Sequence, residues 1–166
     1  MTQLCLRRAT SGDARAIAAI YNHYIRDSIA TFETESVTEA EIAERIAETR
    51  ELGLPWKVAA EDGAVLGYAY ASRWKGRCAY RYSVESTVYL APSATRRGIG
   101  RSLYAAMLEE VRALGMHVAI GGISLPNEAS VRLHEVLGFR KIGQFEEIGY
   151  KFDRWIDVGY WQLTFR

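Results

Sequence analysis

The segment Val88-Tyr89-Leu90-Ala91-Pro92-Ser93-Ala94-Thr95-Arg96-Arg97-Gly98-Ile99-Gly100-Arg101-Ser102-Leu103 limits the fold more than any other part of the chain. It begins as a strand, passes through a basic turn bearing two glycines, and opens a helix. Leu103, Met107, Leu108, Val111 and Leu114 then repeat with helical spacing as far as a stop at Gly115. Free N–H groups at such a helix start point at a ligand, the helix dipole favours negative charge, and glycines let a pyrophosphate approach the backbone. Arg96, Arg97 and Arg101 add positive charge. A dinucleotide fingerprint would need a third glycine where Leu103 stands, and a Walker-type loop would need a Gly-Lys-Ser/Thr run that is absent. The turn suits a phosphate-bearing ligand outside those two nucleotide folds, although a Gly-x-Gly taken alone is equally a solvated helix start.

The remaining pattern surrounds this turn with a mixed sheet. Leu4 to Arg8 reads as a short strand, and Ser11 or Asp13 caps a helix with Ile17, Ile20, Tyr21, Tyr24 and Ile25 on one face. Thr38 and Glu41 form a capping box for a second helix that runs to Gly53 and Pro55. The segments 56–61, 64–74 and 78–90 are β-rich, and Asp62-Gly63 between the first two is a hairpin signal. After the helix that opens at Ile99 come a buried strand over 117–123, a helix capped by Asn127 and ended by Gly138, and two strands over 139–146 and 155–165. The order β, α, α, three antiparallel strands, then α, β, α, β, β predicts one mixed α/β sheet rather than a doubly wound one, in a single domain over 1–166.

Composition narrows the partners. Twenty-one basic against twenty acidic residues leave a formal charge of +1, too little for a general field that draws in nucleic acid or an anionic membrane. Cys5 and Cys78 with His23, His117 and His134 give neither a disulfide framework nor a zinc spacing, so no metal is expected and a reducing cytoplasm is the expected compartment. No apolar run approaches a membrane span, and Met1 to Arg8 does not read as a signal leader.

Two motifs together resemble the GCN5-related N-acetyltransferases. Thr95-Arg96-Arg97-Gly98-Ile99-Gly100 matches their Gln/Arg-x-x-Gly-x-Gly/Ala signature except at Thr95, where a side chain is replaced and the backbone cradle is not. Asn127 to Phe139 is similar to their Asn-x-x-Ala/Ser-x-x-Leu-Tyr-x-x-x-Gly-Phe helix, with His134 in the tyrosine position. The stretches 82–89, 124–127 and 155–163 further resemble the phosphinothricin and methionine sulfoximine acetyltransferase branch. The resemblance covers nearly the whole chain. It implies a mostly antiparallel twisted sheet flanked by helices, acetyl-CoA as donor, a free amino acid analogue as acceptor attacked directly in a ternary complex, a detoxifying role and a homodimer.

That resemblance assigns roles that the residues alone leave open. Glu85, on the strand leading into the turn, is the expected base; by itself it is equally an ion-pair partner for Arg81. The backbone of Val88, Tyr89 and Leu90 is expected to meet the acyl and pantetheine groups. The turn Arg96, Arg97, Gly98, Ile99, Gly100 and Arg101 would hold the pyrophosphate, and Asn127, otherwise only a cap, would also touch the cofactor. His134 would stand near the thiol as a catalytic group or be a satisfied, half-buried histidine. Arg73, Lys75, Gly76 and Arg77 would read an acceptor carboxylate or be a solvated turn, with Phe32, Ser86 and Thr87 lining the pocket and Phe32 otherwise core. The C-terminal strand bearing Trp155, Tyr160, Trp161 and Phe165 is the expected dimer contact. Two other functions fit the same motifs: acetylation of protein N-termini or lysines, and a non-catalytic CoA-binding module.

Overall fold

A computed structural model describes residues 3–166, so the first two residues of the single expected domain, and the part of the leader reading that rests on them, lie outside the described residues. Seven strands form one sheet: β1 (Cys5–Arg8), β2 (Trp56–Glu61), β3 (Ala64–Arg73), β4 (Ser83–Leu90), β5 (Val118–Leu125), β6 (Arg140–Lys151) and β7 (Arg154–Thr164), in the spatial order β1-β2-β3-β4-β5-β7-β6. Every neighbouring pair is antiparallel except β4 with β5. The helices are α1 (Ala14–Asp27), α2 (Glu39–Glu51), α3 (Ile99–Ala113) and α4 (Glu128–Val136).

The alternation of side chains along β2 and β3 sends them to opposite faces and divides the core in two. Val58 and Tyr68, partners across the two strands, pack with Ile17, Ile20 and Ile25 of α1 and Ile42 and Ile46 of α2. Ala59, Ala69 and Ala71 point the other way, where the small side chains let Leu103, Tyr104, Met107 and Val111 of α3 lie close to the sheet. α2 starts at the expected capping box: the Glu41 N–H donates to Thr38 Oγ1 at 3.2 Å and the Thr38 N–H donates to the Glu41 carboxylate at 2.6 Å. At α1 the cap differs from expectation. Asp13 occupies the N-cap, but its carboxylate turns backwards to accept from the Thr10 N–H at 2.8 Å and from Arg7 at 2.7 Å.

Three departures from the sequence reading have local causes. The strand expected over 78–90 begins only at Ser83, because Cys78–Tyr80 closes a 3-10 turn. The strand expected to end at Glu146 runs on to Lys151 after a bulge between Phe145 and Gly149, where Glu147 adopts φ 50°. It then reverses through Phe152 and Asp153, both left-handed at φ 53° and 55°. Two successive left-handed residues are what a tight hairpin turn requires, yet neither is the glycine that usually announces one. Of the four aromatic residues expected at a dimer contact, Trp161 is 2% exposed within the core, Phe165 packs against that core, and only Trp155 is openly exposed. Six exposed large apolar side chains cluster on β6 and its hairpin, at Ile142, Phe145, Ile148, Tyr150, Phe152 and Trp155.

Candidate active site

β4 and β5 pair through only three registers, Ser83 with Val118, Val84 with Ala119 and Glu85 with Ile120. Beyond Glu85, β4 stays with β3 as far as Leu90, while β5 follows β7 as far as Leu125. The sheet therefore forks, and one edge of the β4 backbone from Ser86 to Leu90 carries no strand. Buried strand edges need hydrogen-bond partners, so the fork is a place where an extended amide-bearing ligand can add to the sheet. A cleft of about 1060 Å³ lies there.

The helix end of the cleft is the basic turn. Arg96 and Gly98 both have left-handed backbones, φ 61° and 76°, which fold the chain back under the start of α3. The N–H groups of Ile99, Gly100 and Arg101 have no intrahelical partner there. A Cβ placed on Gly98 would meet nothing within 4 Å, so the space over the turn is open, whereas one on Gly100 would stand 3.1 Å from Leu90 Cδ1. Gly98 thus permits the turn's conformation and Gly100 permits its packing. Of the expected turn residues, Arg96, Gly98, Gly100 and Arg101 line the cleft. Arg97 instead reaches Glu61 at 2.9 Å, and the Ile99 side chain is buried in the core, leaving only its N–H for a ligand. Asn127 lines the cleft and also caps α4, its Oδ1 accepting from the Ser130 N–H at 3.1 Å.

At the fork, alternation along β4 separates two sets of side chains. Glu85 and Thr87 line the cleft together with Thr31, Phe32 and Tyr160, while Ser86 points to the opposite side, into α3 and α4. Burial raises the Glu85 carboxyl above its ordinary range, and the charge of Lys75 pulls it partly back. Gly122 of β5 supplies the room opposite: a Cβ there would lie 3.3 Å from Tyr160 Cε1 and 3.7 Å from Glu85 Oε1.

On the other side Ser86, Tyr104 and His134 form a buried chain. Ser86 Oγ and Tyr104 Oη are 2.7 Å apart, and Tyr104 Oη is 3.0 Å from His134 Nε2. His134 Nδ1 lies 2.8 Å from the Ser130 carbonyl, which can only accept. Burial holds the imidazole below its usual pKa, so at neutral pH the ring is neutral with its proton on Nδ1, and Nε2 accepts from the Tyr104 hydroxyl. Tyr104 in turn accepts from Ser86, whose proton is shared with the Ile120 carbonyl at 3.3 Å. Gly121 makes space for the ring, since a Cβ there would be 2.5 Å from His134 Nε2.

The basic turn expected to read an acceptor carboxylate does not line the cleft. Arg73, Lys75, Gly76 and Arg77 are exposed at its margin, with Lys75 Nζ 5.3 Å from the Trp74 ring and Trp74 edge-on to Tyr160 at 5.8 Å. Val88, Tyr89 and Leu90 line the cleft, and Phe32, 39% exposed, lines it as well. Gly121, Gly122 and Tyr104 were not singled out in the sequence, and Tyr160 was named there only for the expected dimer contact. The adjacent glycines inside an apolar strand were a visible signal of close approach; nothing in the sequence marked either tyrosine for this site. Among the described residues no group of three or more His, Cys, Asp or Glu could hold a metal ion, and no helix is long and apolar enough to cross a membrane.

A forked mixed sheet whose exposed strand edge leads into a glycine-bearing helix start defines an acyl-CoA-type transferase site. The chain belongs to the GNAT acetyltransferase family: the model described as "Acetyltransferase (GNAT) domain" matches residues 6–159. It is 42% identical to a phosphinothricin N-acetyltransferase of Streptomyces viridochromogenes, over 96% of this chain and 87% of that protein. It is 38% identical to an L-methionine sulfoximine/L-methionine sulfone acetyltransferase of Salmonella typhimurium, over 96% and 93%. Among solved structures, a GNAT superfamily phosphinothricin acetyltransferase from Sinorhizobium meliloti in complex with acetyl-CoA superposes with a TM-score of 0.94 at 38% identity, covering 97% of this chain and 88% of that one.

Proposed function

We propose that the chain transfers an acetyl group from acetyl-CoA to the α-amino group of a small amino acid analogue of the phosphinothricin or methionine sulfone type, by direct attack with both substrates bound. The observation that carries this reading is the half-buried Glu85 carboxylate at the fork, beside an unpaired strand edge and across from a short acceptor wall. The names of the relatives support the acceptor class.

The residues fit the donor. The open space over Gly98 and the free N–H groups of 99–101 suit a pyrophosphate, with Arg96 and Arg101 adding charge. The N–H groups of Val88 and Leu90, on the free edge of β4, suit the pantetheine amides and the acyl oxygen, while Tyr89 turns its backbone to β3. Acetyl-CoA supplies the activated acyl group; the protein's task is to orient the amine and remove its proton. An acceptor amine has a pKa above the peptide α-amino value of about 7.7 to 8.0 and is mostly charged at neutral pH. A base with a raised pKa is matched to that task. A thiol has an ordinary pKa near 8.5, so its departure as thiolate near neutrality needs little acid help. We therefore give His134 no proton to donate: both ring nitrogens are engaged inside the fold, and its ring and the Tyr104 hydroxyl serve as a fixed wall beneath the thiol end.

We further propose a homodimer formed through the exposed apolar face of β6 and its hairpin, because a 12-residue edge strand with this many exposed large apolar groups would otherwise invite uncontrolled association. Two free, exposed cysteines suit a reducing, cytoplasmic setting, in which acetylation would inactivate toxic amino acid analogues.

Glu85→Gln tests the central assignment. Turnover with L-methionine sulfone should fall on the order of 100-fold or more, the scale of general-base catalysis, with acetyl-CoA affinity unchanged by calorimetry. The acid limb of the pH profile should disappear with it. A variant that keeps the wild-type rate at every pH would remove Glu85 as the base.

A further inference from the structure

The end of β6 bears two residues that the chemistry above does not use. A Cβ on Gly149 would stand 2.2 Å from Phe32 Cζ and 2.3 Å from Cε2, so the Phe32 ring lies directly on bare backbone. Two residues on, Lys151 is 5% exposed, and its Nζ donates to the carbonyls of Ser28 at 2.7 Å and Thr31 at 2.8 Å. Its two hydrogen-bond partners are therefore neutral carbonyls. Burying an ammonium is costly unless it is well hydrogen-bonded, so this lysine fixes the loop at a definite height above the sheet. The same loop is tied from β4, where the Tyr89 hydroxyl donates to the Ala30 carbonyl at 3.0 Å. Ala30, Thr31 and Phe32 form one wall of the cleft, and Ile148 and Val158 extend its apolar lining beside them.

We propose that Gly149 and Lys151 set the length of the acceptor side chain: Lys151 holds the 28–32 loop over the cleft, and the missing side chain at position 149 lets the Phe32 ring withdraw against β6. The pocket so bounded takes an amino acid with an unbranched aliphatic stem, its methylene groups against Phe32, Ile148 and Val158. The inference rests on the small-acceptor reading above. It makes Gly149 and Lys151 positioning residues for specificity, acting through Phe32, with no part in the chemical step.

Gly149→Ala is a clean probe because the obstructing atoms are the far end of a side chain, which can swing while the backbone stays. The ring should move into the cleft. KM for L-methionine sulfone should then rise roughly tenfold, the scale for misfit of a methylene in an apolar pocket. KM for the shorter L-2-aminobutyrate and for acetyl-CoA should stay as in wild type. In a Phe32→Ala background the same substitution should be silent. Equal changes for both acceptors, or the same effect with and without the ring, would overturn the proposal. Lys151→Met keeps the stem and drops the donors, and should raise KM for both acceptors but not for acetyl-CoA; unchanged acceptor constants would remove Lys151. If wild type acetylates neither acceptor, the substrate reading fails while the packing is still decided by NMR. Gly149→Ala must shift the assigned Phe32 ring signals in 13C-phenylalanine-labelled protein, and unshifted signals would overturn the inference by themselves.

Discussion

Glu85 and His134 are the two catalytic candidates that the sequence pointed to, and the pleat of β4 keeps them apart. Glu85 shares its face with Thr87 and the proposed acceptor wall, whereas His134 is reached through Ser86 from the other face. Only Glu85 therefore sits in the field of Lys75. With Glu85 as the proposed base, this would give Lys75 a role besides the carboxylate reading expected for it. Its positive charge favours the ionised carboxylate and so lowers a pKa that burial has raised. A base works when deprotonated, so kcat/KM should fall as pH drops through the raised Glu85 value. Lys75→Met removes the stabilising charge, which raises that value further and moves the acid limb to higher pH. The limb should be followed with an acceptor amide, which has no carboxylate for Lys75 to hold. A limb that stays in place would show that Lys75 does not act on Glu85.

The turn before α3 is the element whose sequence and structure agree most closely, and the reason is that its information is local. The strand, the left-handed Gly98 and the helix start are contiguous, and the rules that relate them act over a few residues. Gly98→Val should therefore weaken acetyl-CoA binding at least tenfold through two effects: a β-branched residue is strained at φ 76°, and its side chain would occupy the open space above the N–H groups. Titration calorimetry showing wild-type affinity would take the cradle out of the donor site. The Asp62-Gly63 hairpin was legible for the same local reason, with φ of 50° and 81° at its two residues. The end of β6 was not. Its turn uses Phe152 and Asp153 at left-handed angles, and Lys151 meets Ser28 and Thr31 more than a hundred positions away. The Ser86–Tyr104–His134 chain likewise joins β4, α3 and α4, and no periodicity within one element encodes it. Arg97 shows the converse: it has the right residue type in the right motif, but Glu61 captures it across the molecule.

For the whole molecule, the β6 face and the basic margin of the cleft meet in one question, the surroundings of the acceptor carboxylate. Arg73, Lys75 and Arg77 are exposed beside the cleft rather than within it, and Ile148 belongs both to the exposed β6 face and to the cleft lining. A partner seated on β6 would thus close the acceptor end while leaving the α3 turn untouched. Ile142→Glu with Trp155→Glu places two charges on that face, at residues 53% and 62% exposed, where the folded monomer should tolerate them. Sedimentation should show wild type as a dimer and the variant as a monomer, with KM raised for the acceptor and unchanged for acetyl-CoA. The carboxylate contribution can then be separated by comparing L-methionine sulfone with its amide on Arg73→Ala and Arg77→Ala. A charge-assisted hydrogen bond is worth about 1.5 to 3 kcal/mol, so its loss should cost the acid roughly tenfold to a hundredfold in kcat/KM and the amide far less. If the partner completes the carboxylate site, the monomeric variant should show the same selective loss without any arginine replaced. Equal losses for acid and amide in proteins that remain dimeric would mean that the margin does not read the carboxylate. A wild-type monomer would mean that β6 does not close the site.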